Sequence, residues 1–402
     1  MNINQVKKAI LNKWDFENPE RSIPIFVWGN IGLGKTWIVQ ECLVQKCIYE
    51  LEKLIKAGKL LTQEQEKELS RLKTYTDPKE IEDILDKHMV ILRLANSPIE
   101  KLQGIPFPKK ETMTALFLMP ENISRFGKDD FCLVFLDELD KSSEAAMCAT
   151  THIIESRRIA DFIFPKDCMI VCAANRVQDS WLSKPISPEM RNRGAHVELE
   201  PDLDAWLKWA SLHGIRQEII QFLKFKKSMN ENLLTTYENQ DGENCSNAFA
   251  TPRTITMASN QWDKMDKKGA SYQEILEEVR QLVGSKFSNE LNTYVRLYKE
   301  VDVEAILDGS KKIPQARPGD NKAISNQYIH VFSICNYLQV EHIKDENRMK
   351  NLIDNISLLM DDLKIAFLLT ISSSKPLVNN KIHESKHGEA LIDWFLEKVS
   401  SI

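Results

Sequence analysis

Eight residues near the start of the chain constrain it most: Gly29-Asn30-Ile31-Gly32-Leu33-Gly34-Lys35-Thr36, which fit G-x-x-x-x-G-K-[ST]. The run before them, Ile23-Pro24-Ile25-Phe26-Val27-Trp28, is short, apolar and partly β-branched, and predicts a buried strand. The run after them, Trp37 to Val44, predicts a helix. Strand, glycine loop and helix in that order make a phosphate cradle. The glycines let backbone N–H groups approach an anion with no Cβ in the way. The helix points its positive end at the same anion. Lys35 is placed to reach the β- and γ-phosphates of a nucleotide, and Thr36 to offer a hydroxyl to Mg2+. The nucleotide-holding set runs from Gly29 to Trp37. Glycine is otherwise scarce, 14 of 402 residues, so the pattern does not come from a glycine-rich composition.

Four further strands are predicted: Met89–Ala95, Phe131–Leu136, Cys168–Ala174 and His196–Glu200. The middle two are almost continuously apolar, as strands covered on both faces are. Helical patterns separate them, so the first 200 residues read as an α/β domain with a parallel sheet. Residues 45–88 interrupt the rhythm. Thr62 with Gln65 predicts a capping box, and Asp77-Pro78 an N-cap with a first-turn proline. The segment reads as a helical insertion protruding from the core, either a solvated structural hairpin or an arm that docks a partner. Beyond residue 200 the pattern is helical, with a helical domain at 201–300, a linker at 307–325 and a helical extension to 402; residues 227–249 are polar and read as loop.

A net charge of −5 with no long basic block makes nucleic acid an unexpected partner. The eight cysteines include no C-x-x-C pair, and several sit inside apolar runs, where they read as reduced core thiols. No apolar run approaches the ~20 residues that span a membrane, and the N-terminus has no signal-peptide pattern. A cytoplasmic protein is expected.

The remaining candidate site residues stand at strand and helix ends. Phe131 to Leu136 leads into Asp137-Glu138, so Asp137 is placed to hold Mg2+ and Glu138 to polarise an attacking water. Asn175, after the strand ending Cys172-Ala173-Ala174, either contacts that water or the γ-phosphate, or closes the strand with an Asx turn. Ser187-Pro188 opens a short helix carrying Arg191 and Arg193; either arginine could reach a neighbouring subunit's phosphate, or both form surface salt bridges. Thr251-Pro252-Arg253 reads as an N-cap, a first-turn proline and an arginine that could close onto nucleotide, or a surface arginine.

Taken in order, these residues resemble the AAA+ ATPases, and more closely their MoxR-type branch. The likeness rests on "LQGIPFP" (102–108), "LDELDKSSEAAMCATTHIIESRRI" (136–159), "AANR" (173–176), "PEMRNRGAHVELEPDLDAWLKWA" (188–210) and "NAFATPRT" (247–254). The resemblance implies a P-loop NTPase core with a five-stranded parallel sheet in the order 5-1-4-3-2, ATP and Mg2+ as cofactors, and a hexameric ring that remodels a protein complex. It also implies a partner with a von Willebrand factor A domain. By it, Lys35 and Thr36 hold phosphate and Mg2+, Asp137 holds Mg2+, Glu138 is the catalytic base, Asn175 is sensor 1, Arg193 the arginine finger and Arg253 sensor 2. The family often has an aromatic residue after the finger arginine where this chain has Gly194, which keeps Arg191 as a rival. The 45–88 insertion and most of 320–402 fall outside the pattern. In this branch the loop 97–120 can carry an insertion facing the pore or substrate; a packed connector is the other possibility.

Two motifs are set aside. His383-Glu384-Ser385-Lys386-His387 matches the zinc-protease signature, but its polar flanks suit a solvated helix start. Asn12-Lys13-Trp14-Asp15 matches a guanine-recognition pattern but precedes the glycine loop instead of following it. Two rival functions share the same core: a nucleic-acid-associated or restriction-type NTPase motor, and a slow, nucleotide-gated scaffold.

Overall fold

The computed structural model describes residues 1–400 except 76, 96–97, 110–111, 113, 178–182, 229–230, 232, 235–247 and 318–319. The chain divides into two compact units, residues 1–215 with 234–260 and residues 216–233 with 261–402. The loop expected at 227–249 lies largely outside the described residues.

The first unit holds α1 (Ile3–Lys13), β1 (Ile25–Gly29), α2 (Lys35–Lys56), α3 (Gln63–Thr74), α4 (Glu82–His88), β2 (Met89–Arg93) and α5 (Glu100–Gln103). There follow β3 (Ile105–Lys109), β4 (Thr114–Leu118), α6 (Glu121–Ser124), β5 (Phe131–Asp137) and α7 (Glu144–Ser156). The unit continues through β6 (Arg158–Ile159), β7 (Phe162–Ile163), β8 (Asp167–Ala174), α8 (Pro188–Arg191), β9 (Ala195–Leu199) and α9 (Leu203–Leu212). The fold is α/β, built on a five-stranded sheet in the order β2-β5-β8-β1-β9, with every neighbouring pair parallel. Counting the sheet strands alone, this is 2-3-4-1-5, which is 5-1-4-3-2 read from the other edge. The numbering shifts because two hairpins, β3–β4 and β6–β7, take places between the sheet strands.

Side-chain alternation sorts each strand onto two faces. On β5, Leu133 and Phe135 join one apolar cluster, while Cys132, Val134 and Leu136 join the other. On β8, Met169 and Val171 join the first and Ile170 and Cys172 the second. Both faces are covered, which is why the strands read as unbroken apolar runs. Each large buried aliphatic contributes about 1.5–3 kcal/mol.

The insertion departs from expectation. Its helices and its Thr62–Gln65 capping box form as predicted. Yet Leu72, Ile81, Ile84 and Leu85 are buried in the same cluster as Leu133 and Phe135 of the sheet. Only the tip between α2 and α3 stands clear, with Leu60 97% exposed. The insertion is therefore part of the core at its base, because amphipathic helices follow whatever apolar surface lies beside them.

The hairpin β3–β4 was not predicted. Pro106 and Pro108 have the same parity along β3, opposite Phe117 and Ala115. Every second residue of a two-stranded ribbon has an N–H directed away from its partner, so two prolines spaced by two cost no ladder bonds there.

One charge is buried in α2. Lys46 Nζ lies 2.6 Å from Glu50 Oε1 and 2.7 Å from Asp167 Oδ2, and its side chain is 0% exposed. Pairing on both sides is what lets a charge stay there. The thiols of Cys42, Cys47, Cys132, Cys168 and Cys172 are also buried and unbridged, whereas Cys148 on α7 is exposed. Burial pushes Cys42 and Cys47 up to about 12.

The second unit is helical among its described residues. It contains α10 (Gln217–Ser228), the later part of α11 (Pro252–Asp266), α12 (Tyr272–Val283), α13 (Ser285–Glu300) and α14 (Val303–Leu307). It ends with α15 (Asn321–Tyr337), α16 (Glu346–Ser357), α17 (Asp361–Ser374), α18 (Pro376–His383) and α19 (Glu389–Ser400). The expected linker is partly anchored: Ile313 is buried, and its N–H donates to Asn355 Oδ1 at 2.8 Å. The His383–His387 motif spans the turn between the end of α18 at His383 and the start of α19 at Glu389. Among the described residues no helix is long and apolar enough to cross a membrane.

Candidate active site

The carboxyl ends of β5, β8 and β1 lie side by side in the sheet, and the candidate residues emerge there. After β1, the chain turns through Gly32 at φ +79° and Gly34 at φ +90°, backbone that favours glycine. A Cβ on Gly32 would sit 2.8 Å from Thr251 Oγ1, and one on Gly29 would sit 2.9 Å from the Leu199 carbonyl oxygen. The loop is thus both strained for other residues and closely packed. α2 then begins at Lys35 with no side-chain cap. Its first N–H groups have no intrahelical acceptors, so its positive end opens toward the loop.

The Lys35 ammonium donates to the carbonyls of Gly29 at 2.5 Å and Asn30 at 3.1 Å, and to Asn175 Oδ1 at 3.1 Å. Asn30 is buried. Its Oδ1 accepts from the Ile31 N–H at 2.8 Å, while its Nδ2 has no partner among the described residues.

Asp137 ends β5, and its Oδ1 accepts the Glu138 N–H at 3.0 Å. Burial raises the Asp137 carboxyl above its ordinary range, and the Glu138 carboxylate adds to the effect. Lys35 and Arg93 pull the other way. Glu138 itself has left-handed backbone, φ 56° and ψ 40°. Its Oε1 accepts from Lys141 Nζ at 2.9 Å. Asn175 follows β8, fixed by Asp140, whose Oδ1 accepts the Asn175 N–H at 3.0 Å and whose Oδ2 accepts Nδ2 at 3.3 Å.

Arg253 lies in the first turn of α11. Thr251 and Thr254 cap that turn, the Thr254 N–H donating to Thr251 Oγ1 at 3.1 Å and the Thr251 N–H to Thr254 Oγ1 at 2.8 Å.

One cleft, about 110 Å³ in volume, gathers Ile31, Gly32, Leu33, Gly34, Lys35, Thr36, Asp137, Glu138, Asn175 and Arg253. Gly29, Asn30 and Trp37 do not line it. The Trp37 ring instead meets Trp209 edge-on at 6.3 Å between centroids. Arg193 is also outside: its Nη2 is 3.3 Å from Glu155 Oε2. Arg191 lines a different hollow, with Trp28, Lys184 and His196. Gly194 has no room for a side chain, since a Cβ would lie 2.6 Å from the Pro24 carbonyl oxygen.

Asp140 and Lys141 also line the cleft and were not assigned from the sequence. The available signal was their place just after Asp137-Glu138, in a turn of 3-10 helix that swings them back beside the strand end.

The residues fit a nucleotide and a hard cation. Uncapped helix N–H groups, a lysine and an arginine suit phosphate. The Asp137 and Glu138 carboxylates and the Thr36 hydroxyl offer the few oxygens that suffice for an ion keeping water and phosphate ligands.

No family model matches this chain, and no curated protein matches it. Among solved structures, a RuvB variant from Thermotoga maritima is 11% identical over 76% of this chain and 78% of its own, with a TM-score of 0.32. NtrX from Brucella abortus is 11% identical over 73% and 67%, with a TM-score of 0.30. At these values the likeness carries no weight for the chemistry.

Proposed function

We propose that this chain is a Mg2+-dependent ATPase of the AAA+ class and MoxR type. The observation that carries the proposal is the convergence of Lys35, Thr36, Asp137, Glu138, Asn175 and Arg253 on one cleft at the end of a parallel sheet. Bound Mg2+ would neutralise phosphate charge. Thr36 and Asp137 would hold it, and a cation beside Asp137 would favour the ionised form that burial disfavours. Lys35 and Arg253 neutralise charge on the phosphoryl oxygens. Glu138 polarises the attacking water once its carboxylate leaves Lys141. Asn175 fixes the phosphate-facing end of Lys35.

Arg193, outside the cleft of its own subunit, serves the cleft of a neighbour in a homo-oligomeric ring, most simply a hexamer. Residues 1–200 form the nucleotide-binding domain, 201–300 a helical lid and 301–402 an extension. The ring remodels or assembles a cytoplasmic protein complex with a von Willebrand factor A-domain partner.

The test measures phosphate release and nucleotide binding by the full chain with Mg2+ and ATP. Glu138→Gln should bind ATP and lose turnover by about 100-fold or more. Lys35→Ala should lose binding. Absence of turnover under every oligomeric and partner condition, with Glu138→Gln indistinguishable from wild type, overturns the proposal.

A further inference from the structure

We infer that Asp140 is the positioning residue that sets the polarity of Asn175; this rests on the ATPase proposal for its consequence but not for its geometry. Asp140 is 0% exposed, yet it carries a carboxylate. Four donors converge on the residue. The Asn175 N–H meets Oδ1 at 3.0 Å, while Asn175 Nδ2 at 3.3 Å and Ser183 Oγ at 2.5 Å meet Oδ2. The Lys184 N–H donates to its backbone carbonyl at 2.8 Å. A carboxylate only accepts, so the amide of Asn175 must turn its NH2 toward Asp140. Its carbonyl end is then presented to Lys35 Nζ at 3.1 Å. The flipped amide would set NH2 against an ammonium and a carbonyl against a carboxylate, two repulsive contacts in a buried place.

One hydrogen-bonded chain therefore runs from the glycine-loop lysine through Asn175 and Asp140 to Ser183. The segment beginning at Ser183 leads directly into α8, which carries Arg191 and is followed by Arg193. Asp140 thus joins the group that contacts phosphate to the segment that presents the arginines. Burying an acidic group solely to fill space would be costly; here every bond it makes orders a neighbour of the cleft.

Asp140→Asn tests this. It keeps size but puts an NH2 where Asn175 and Ser183 now donate. Protein labelled with 15N-asparagine reports the Asn175 side-chain amide without nucleotide, the signal being assigned by its loss in Asn175→Ser. We expect that signal to shift in Asp140→Asn and its protons to exchange about tenfold faster. Turnover should fall about 10–100-fold, with ADP affinity changed less than about threefold, because positioning errors weigh on the reaction more than on ground-state binding. If Asp140→Asn does not fold, Ser183→Ala removes one donor from the same carboxylate and must still move the Asn175 signal. An unmoved amide signal overturns the inference, as does unchanged turnover in an active enzyme. A wild type with no turnover at all condemns the ATPase proposal instead, and the amide signal still decides whether Asp140 orients Asn175.

Discussion

Glu138 occupies left-handed backbone at φ 56°, a region that costs a residue with a side chain about 1–2 kcal/mol. A group held there against its preference marks a place where the fold gives up stability for the direction of a side chain. Asparagine tolerates that backbone better. Glu138→Asn should gain about 0.5–1 kcal/mol against urea while losing turnover; the lost contact with Lys141 is half-exposed and worth little. Asp137 illustrates the same exchange through charge. Burial, then the neighbouring Glu138, holds its pKa above the ordinary 3.8. An acid raised on folding favours the native state below 3.8 and loses that contribution as pH climbs through the native value. At neutral pH the ionised carboxylate is therefore a cost. Asp137→Asn should melt above wild type at pH 7, and the difference should close as the pH falls toward 3.8. Saturating Mg2+ and ATP should reverse the order by stabilising only the wild type. Thermal unfolding across pH checks both signs.

At the level of elements, the central strands β5 and β8 were legible because both faces of the sheet are covered there, which leaves unbroken apolar runs such as Cys168–Ala174. The hairpin β3–β4 was not, since Pro106 and Pro108 look like strand breakers until their register is known. The packing of α3 and α4 was not legible either: an amphipathic helix declares that it has an apolar face but not what covers it. Asp140 was hidden for a third reason. In Asp-Glu-Leu-Asp-Lys it reads as one more charge in a polar turn, and only the fold reveals that it is enclosed. The base and the tip of the insertion should now behave differently. Ile84→Ala should cost about 2–4 kcal/mol in urea unfolding, whereas Leu60→Ala, at the 97% exposed tip, should change stability by less than about 0.5 kcal/mol. Equal effects at the two positions would show that the helices do not share the sheet's core.

For the whole molecule, the separation of Arg193 from its own cleft makes a claim about company. Arg193→Ala should keep ATP affinity and lose turnover by ~10³-fold, and mixing it with Lys35→Ala should restore part of the activity in shared rings, as measured by phosphate release against mixing ratio. If Arg191→Ala behaves this way instead, the two arginines exchange roles. If neither variant matters, each cleft is complete alone. The enclosed thiols carry a consequence of another kind. Cys132, Cys168 and Cys172 lie inside the sheet, where burial raises Cys132 and Cys172 well above the usual thiol range, so reagents that attack thiolates reach them only when the sheet comes apart. A thiol-specific dye should thus mark Cys148 within minutes and the sheet cysteines only at the pace of unfolding. The molecule carries its own stopwatch: the slow labelling phase times the opening of the sheet, and ATP should lengthen it.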